Sequence, residues 1–201
     1  MKREQAYHIC RAAALLAGVE TVFVFGDNAI VFWLDEIGLN DTEEVLKEIS
    51  SRELDISVSE EDERLNLLVD GAIGELSTFD NTFGVYAHAN PSKGLFKAPK
   101  SWVSRLKTEK EPVSGITIVV PHPLDLVFSK MVACREKDLA FCERILRAFN
   151  LKIEDLEKIA GEYVEENPEE KEVVVKALAI IKNRVKNKLT TEKDAKNKSQ
   201  P

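Results

Sequence analysis

Glu53 and Asp55 sit two residues apart in residues 50–58, Ser-Ser-Arg-Glu-Leu-Asp-Ile-Ser-Val. Acids alternating with Leu54 and Ile56 predict a strand, in which residues two apart share a face. The two carboxylates then project together while Leu54 and Ile56 point into a core. Adjacent carboxylates repel, and a divalent cation between them relieves the repulsion. Metal binding is therefore the chemistry this pair suggests.

A second group lies later in the chain. From Pro121 to Phe141 an apolar helix (Leu124, Val127, Phe128, Met131) carries Lys130 and then a polar knot, Arg135-Glu136-Lys137-Asp138. Three cations within eight residues of a core-facing helix suggest an anionic partner, with phosphate the commonest. The bland alternative is a solvated hinge between two helices.

These groups need elements to position them. Residues 21–37 read as a buried strand, a turn at Gly26, a capping position at Asp27 or Asn28, and an apolar helix. A strand–Gly–helix unit aims backbone N–H groups at whatever sits above its turn, so Gly26 and Asn28 are candidates for holding phosphate. A first helix is expected over 9–17 with a stop at Gly18, and another over 60–71 that starts acidic. A third strand is expected over 83–89 and a fourth over 116–120, ended by Pro121. Helices are expected over 123–133, 137–149, 153–165 and 168–189. This order predicts an α/β (α+β) chain: a mixed sheet of about four strands with flanking helices, over 1–121, then a helical region over 122–189. Residues 190–201 are expected to form a disordered basic tail.

The order of these pieces resembles the nucleotidyltransferase superfamily that includes DNA polymerase beta. That family has a Gly-Ser or Gly-Gly turn opening a helix, an acid-x-acid strand, and a third acid on a later strand. The Lys130 to Asp138 run is similar to the lysine and Arg-x-Lys-Asp motifs of AbiEii-type members, known from toxin–antitoxin systems. Gly74-Glu-Leu-Ser-Thr-Phe79 and Phe83-Gly-Val-Tyr86 resemble an uncharacterised branch of the same proteins. The resemblance implies an NTP substrate and Mg²⁺ (or Mn²⁺) held by Glu53 and Asp55, with His88 at the place of the third acid. It implies phosphate charge from Lys130, Arg135 and Lys137, with Asp138 orienting those cations or assisting the acceptor proton. The implied reaction moves a nucleoside monophosphate to a hydroxyl of RNA or protein.

Three departures bear on that activity. Asp27 replaces the usual Ser or Gly and opposes a phosphate; Glu53 replaces Asp; His88 is a poor Mg²⁺ ligand, although imidazole binds transition metals. They favour an alternative on the same fold, a catalytically degenerate binding module such as an antitoxin-like or RNA-binding partner. Glu75 and Asp80 are alternatives for the missing third acid. Trp102 is a candidate for stacking on a base, although packing over the sheet is the more ordinary role. His122, between two prolines, reads as a cap.

Composition bounds the rest. Hydrophobic residues make up 44% and charged residues 31%, ordinary for a globular chain. No apolar run is long enough to span a bilayer, and no apolar leader follows the first residues. Three cysteines without a Cys-x-x-Cys pair read as reduced core residues, which suggests a cytoplasmic location. Net charge is -7, with ten acids against two bases over 41–63 and seven bases against two acids over 182–201. The acidic block includes the proposed metal-binding strand; its bland reading is a solvated helix face over 41–48 and a loop after Val58.

Overall fold

The computed structural model describes residues 1–38, 51–92 and 95–198, with side chains described as far as 186. The expected acidic helix face over 41–48 lies outside the described residues, as does part of the 90–100 loop. The chain separates into two compact units, Met1–Leu126 and Val127–Pro201.

In the first unit, α1 (Arg3–Ala17) buries Ala6, Ile9, Cys10 and Ala13 completely. That spacing is the apolar stripe of an amphipathic helix. Gly18, at φ 66°, closes it with its N–H donating to the Ala14 carbonyl, a left-handed cap that glycine adopts without strain. Next come β1 (Thr21–Phe25) and two 3-10 segments, Asp27–Phe32 and Leu34–Ile37. The expectation of one apolar α-helix here is thus corrected. Asn28 to Phe32 are all buried, so no polar stripe exists to face water, and β-branched Ile30 and Val31 weaken α-helix propensity.

The strand β2 (Glu53–Ser57) follows, then α2 (Glu63–Ile73), whose Asp62 cap accepts the Arg64 N–H. The short α3 (Thr78–Phe83) is capped by Ser77 at its start and Gly84 at its end. Because α3 takes up Phe83, the third strand begins later than expected, as β3 (Tyr86–Ala89). A 3-10 segment (Lys100–Arg105) leads into β4 (Lys107–Lys110) and β5 (Thr117–Val120).

The sheet is mixed and five-stranded, in the order β3-β2-β1-β5-β4. Pairs β1/β5 and β2/β3 are parallel, whereas β1/β2 and β4/β5 are antiparallel. The unexpected strand is β4. Its Lys-Thr-Glu-Lys sequence has no apolar residue, and it sits at the sheet edge, where lysines discourage further pairing. Val22, Val24, Leu54, Ile56, Ala87 and Ile118 are completely buried. Cross-strand register places them together on one face, the core side.

Helix α4 (Pro123–Ala133) begins at its proline as expected and passes through the division between units. In the second unit, α5 (Glu136–Ala148) and α6 (Ile153–Glu166) follow. A short 3-10 turn at Pro168–Glu170 precedes α7 (Lys171–Lys198). The α7 bounds pass the expected helix end at 189 and take in most of the segment expected as a tail. Phe128 and Tyr163 pack with ring centroids 5.0 Å apart, and Arg184 ties α7 to Glu136 and Glu143 of α5.

Candidate nucleotide and metal site

The second face of the sheet carries the acids. Along β2, Glu53 and Asp55 are half-buried while Leu54 and Ile56 are inaccessible, the alternation expected of a strand with one core face. Antiparallel register sets Asp55 opposite Phe25, which brings its carboxylate beside the turn at Gly26. The contact is so close that only glycine fits. A Cβ built at position 26 would lie 2.7 Å from Asp55 Cγ and closer still to Oδ2. Gly26 also has φ 73°, where a side chain is strained. Turn and carboxylate are therefore built around one another.

Parallel register sets His88 beside Asp55 and Tyr86 beside Glu53. His88 Nδ1 lies 2.9 Å from Asp55 Oδ1. That hydrogen bond raises the imidazole pKa above the ordinary histidine value, against the lowering effect of burial. The Tyr86 hydroxyl donates to Glu53 Oε2 at 3.4 Å, and burial first, then Glu53, pushes the phenol upward. Arg52 stands over the Tyr86 ring at 5.8 Å and donates to the Gly84 carbonyl at 3.1 Å.

Two expected site residues have local structural partners. Asn28 is buried, and its amide donates to the Glu53 carbonyl at 2.6 Å and Ser51 Oγ at 3.0 Å. It pins the start of β2 to the first 3-10 segment, so any contribution of its side chain to phosphate is indirect. That segment has six residues, too short for the dipole of a full helix. Asp27 lies in its first turn. Asp80 is buried, accepts the Leu76 N–H at 3.1 Å and pairs with Arg52. It shapes the 74–84 turn, in which Leu76 has φ 63°, while Glu75 is exposed. The Glu75 charge acts on Tyr86, the β3 residue beside Glu53. His122 acts as expected at the start of α4, its Nδ1 accepting the Leu124 N–H at 3.1 Å.

His88, expected as a third ligand with Glu53 and Asp55, lies beside Asp55 across the β2/β3 register. Among the described residues, no three His, Cys, Asp or Glu side chains are grouped to hold a metal ion. His88 is hydrogen-bonded to Asp55. Two carboxylates beside a cradle that any Cβ would fill still fit Mg²⁺ chemistry. This ion commonly takes one or two protein carboxylates and completes its shell with water and substrate phosphate.

In the second unit, Asp138 is buried and gathers the knot around itself. It accepts Arg135 Nε at 2.6 Å, Arg135 Nη2 at 3.1 Å and the Arg135 backbone N–H at 3.3 Å. Lys130 Nζ lies 3.8 Å from Asp138 Oδ1, which also accepts Arg135 Nη2, and Lys137 is exposed. The knot forms where α4 ends and Cys134 takes φ 55°, so Asp138 also caps α5.

Tyr86 and Arg52 were missed as neighbours of the acids. The signal was available in principle, since a third strand parallel to β2 must set its alternate residues beside Glu53 and Asp55.

A family model described as "Nucleotidyltransferase of unknown function (DUF6036)" matches residues 8–195. No curated protein and no solved structure matches the chain.

Proposed function

The chain belongs to this nucleotidyltransferase family, and from that premise we propose that it binds an NTP with a divalent cation at the Gly26–Asp55 face. The carrying observation is the turn itself, since a Cβ at Gly26 would fall within the Asp55 carboxylate. A glycine required against a half-buried acid marks a place where the backbone must stay open beside that acid.

In this reading Glu53 and Asp55 hold Mg²⁺ or Mn²⁺. A cation held there would supply charge neutralisation of the triphosphate during in-line attack. Asn28 fixes the start of β2, and His88 holds Asp55 in one orientation. In the second unit, Asp138 fixes Arg135 and draws Lys130 toward it. In the transfer step an acceptor hydroxyl oxygen of RNA or protein bonds to the α-phosphorus as the α–β bridge breaks. Pyrophosphate leaves and the hydroxyl proton is released.

The Asp55–His88 hydrogen bond favours a second reading, a degenerate member that binds nucleotide without turnover. A protonated imidazole on Asp55 reduces the negative charge available to a cation. One assay separates the two: incubation with labelled NTP, Mg²⁺ or Mn²⁺, and mixed cellular RNA and protein. Label incorporation lost in Asp55→Ala establishes transfer. NTP binding without incorporation establishes the binder, and failure of both leaves the shared fold alone.

A further inference from the structure

An aromatic group stands on the same sheet face as the acids. Register pairs Phe23 with Ser57 and Phe25 with Asp55, so both rings share a sheet face with Glu53 and Asp55. Their rings are 5.6 Å apart and nearly parallel, at 21°. The segment before β4 brings two more rings to the same place. Trp102 lies 5.5 Å from Phe23 and 5.2 Å from Phe96, and Phe96 lies 6.2 Å from Phe23. Phe25 is buried, whereas Phe23, Phe96 and Trp102 are half-exposed. The opposite face has a complete aliphatic core of its own, so these rings do not fill it.

A row therefore runs from Asp55 to its cross-strand partner Phe25 and on through Phe23 to Trp102, with ring-to-ring steps of 5.6 and 5.5 Å. A nucleoside triphosphate has the same layout, with charge at one end and a flat π surface at the other. Stacking on an aromatic ring suits any base, because every base has a π face. We propose that Trp102, backed by Phe96 and Phe23, stacks the nucleobase of the bound NTP. This rests on the reading of the Gly26–Asp55 face as the nucleotide site and adds the half of the ligand that the acids cannot recognise. It predicts weak base preference, graded by stacking strength.

The chain has two tryptophans. Trp33 is buried and donates its indole N–H to the Pro121 carbonyl at 2.9 Å, so Trp102 is the one that a ligand can quench. The test titrates full-length protein, in Mg²⁺ and in Mn²⁺, with ATP and with inorganic tripolyphosphate, by tryptophan fluorescence and calorimetry. ATP is expected to quench, and Trp102→Leu to abolish the quench. That variant should weaken ATP at least about fivefold, the low end for loss of one stacked base. Its tripolyphosphate affinity should be unchanged, which excludes general damage to the fold, and Trp102→Phe should keep most of the ATP affinity. Equal affinities for ATP and tripolyphosphate in the wild-type protein would overturn the stacking proposal while leaving the phosphate and metal reading intact. Unchanged ATP affinity in Trp102→Leu would do the same. Failure of both ligands to bind the wild-type protein would overturn the two readings together.

Discussion

The two acidic centres of this protein are built in opposite ways. Asp138 is closed on its own neighbours, taking the side chain and backbone of Arg135 three residues before it and the ammonium of Lys130 near the end of the preceding helix. Asp55 takes its partners from distant parts of the chain: a glycine at the end of β1 and a histidine 33 residues away on β3. A carboxylate satisfied within one helix start needs no further explanation, since capping alone accounts for it. One held half-exposed against a glycine at positive φ is harder to explain as local structure. The difference teaches that a charge cluster dense in sequence is weaker evidence for a site than two charges brought together by strand register.

The largest effect expected from breaking this arrangement is at Gly26. Gly26→Ala adds strain at φ 73° and a clash with Asp55, together about 3 kcal/mol or more of stability. Gly18→Ala is the control, with similar φ but nothing within 4 Å of the new Cβ, and should cost about 1 kcal/mol. Because the clash is with a side chain, adding Asp55→Ala should recover part of the Gly26→Ala loss in a double-mutant cycle measured by urea unfolding. Strict additivity would show that the turn and the acid are independent.

Next is the contrast between the two acids themselves. Asp138→Ala removes the buried carboxylate that caps α5 and should cost about 1–2 kcal/mol. Asp55→Ala removes a half-buried acid from a partly exposed pair and should cost less than about 1 kcal/mol. Equal losses would erase the distinction drawn between a structural and a functional carboxylate.

Much of this was legible in the chain, and the failures have physical causes. Pro123 at a helix start, Gly18 at a helix end, and the period-two alternation of 53–57 are strong local signals, and each matches the structure. The helix expected after Gly26 failed because a run buried on all sides has no amphipathic period to read. Strand β4 was missed because edge strands carry polar sequence. The Asp55–Gly26 closeness and the Asp55–His88 bond depend on register across strands, which no local pattern encodes. His88 was placed beside the acids only through family order, and its bond to Asp55 came from geometry.

A smaller effect concerns metal. If Glu53 and Asp55 hold a cation, Mg²⁺ or Mn²⁺ at about ten times its dissociation constant should add about 1.4 kcal/mol of stability. For a chain of this size that is a rise of about 3–6 °C in Tm. Asp55→Asn should abolish it, and Asp138→Asn should reduce overall stability but leave the metal-dependent rise. A rise that survives in Asp55→Asn would place the cation elsewhere.

The smallest expected effect is in pH dependence, and its sign separates His88 from a merely buried histidine. His88 is raised by its bond to Asp55, so its folded pKa lies above its unfolded value of about 6.5. Its contribution to stability is therefore fully present below about pH 6.5 and is lost as pH rises through the folded value. His122 is lowered, chiefly by burial, and its Nδ1 must stay unprotonated to accept the Leu124 N–H. For His122 the unfolded chain takes up a proton first, so stability is full above about 6.5 and falls as pH drops toward the folded value. Urea unfolding of metal-free protein across pH 5–9 should show the wild-type advantage over His88→Gln shrinking as pH rises. The advantage over His122→Gln should instead grow. In NMR titrations His88 should deprotonate later than an ordinary histidine and return to the ordinary value in Asp55→Asn. It should be unmoved in Asp138→Asn, whose carboxylate serves its own helix. A His88 that titrates at or below the ordinary value would remove the Asp55–His88 bond from solution and with it the claim that Asp55 is held by distant partners.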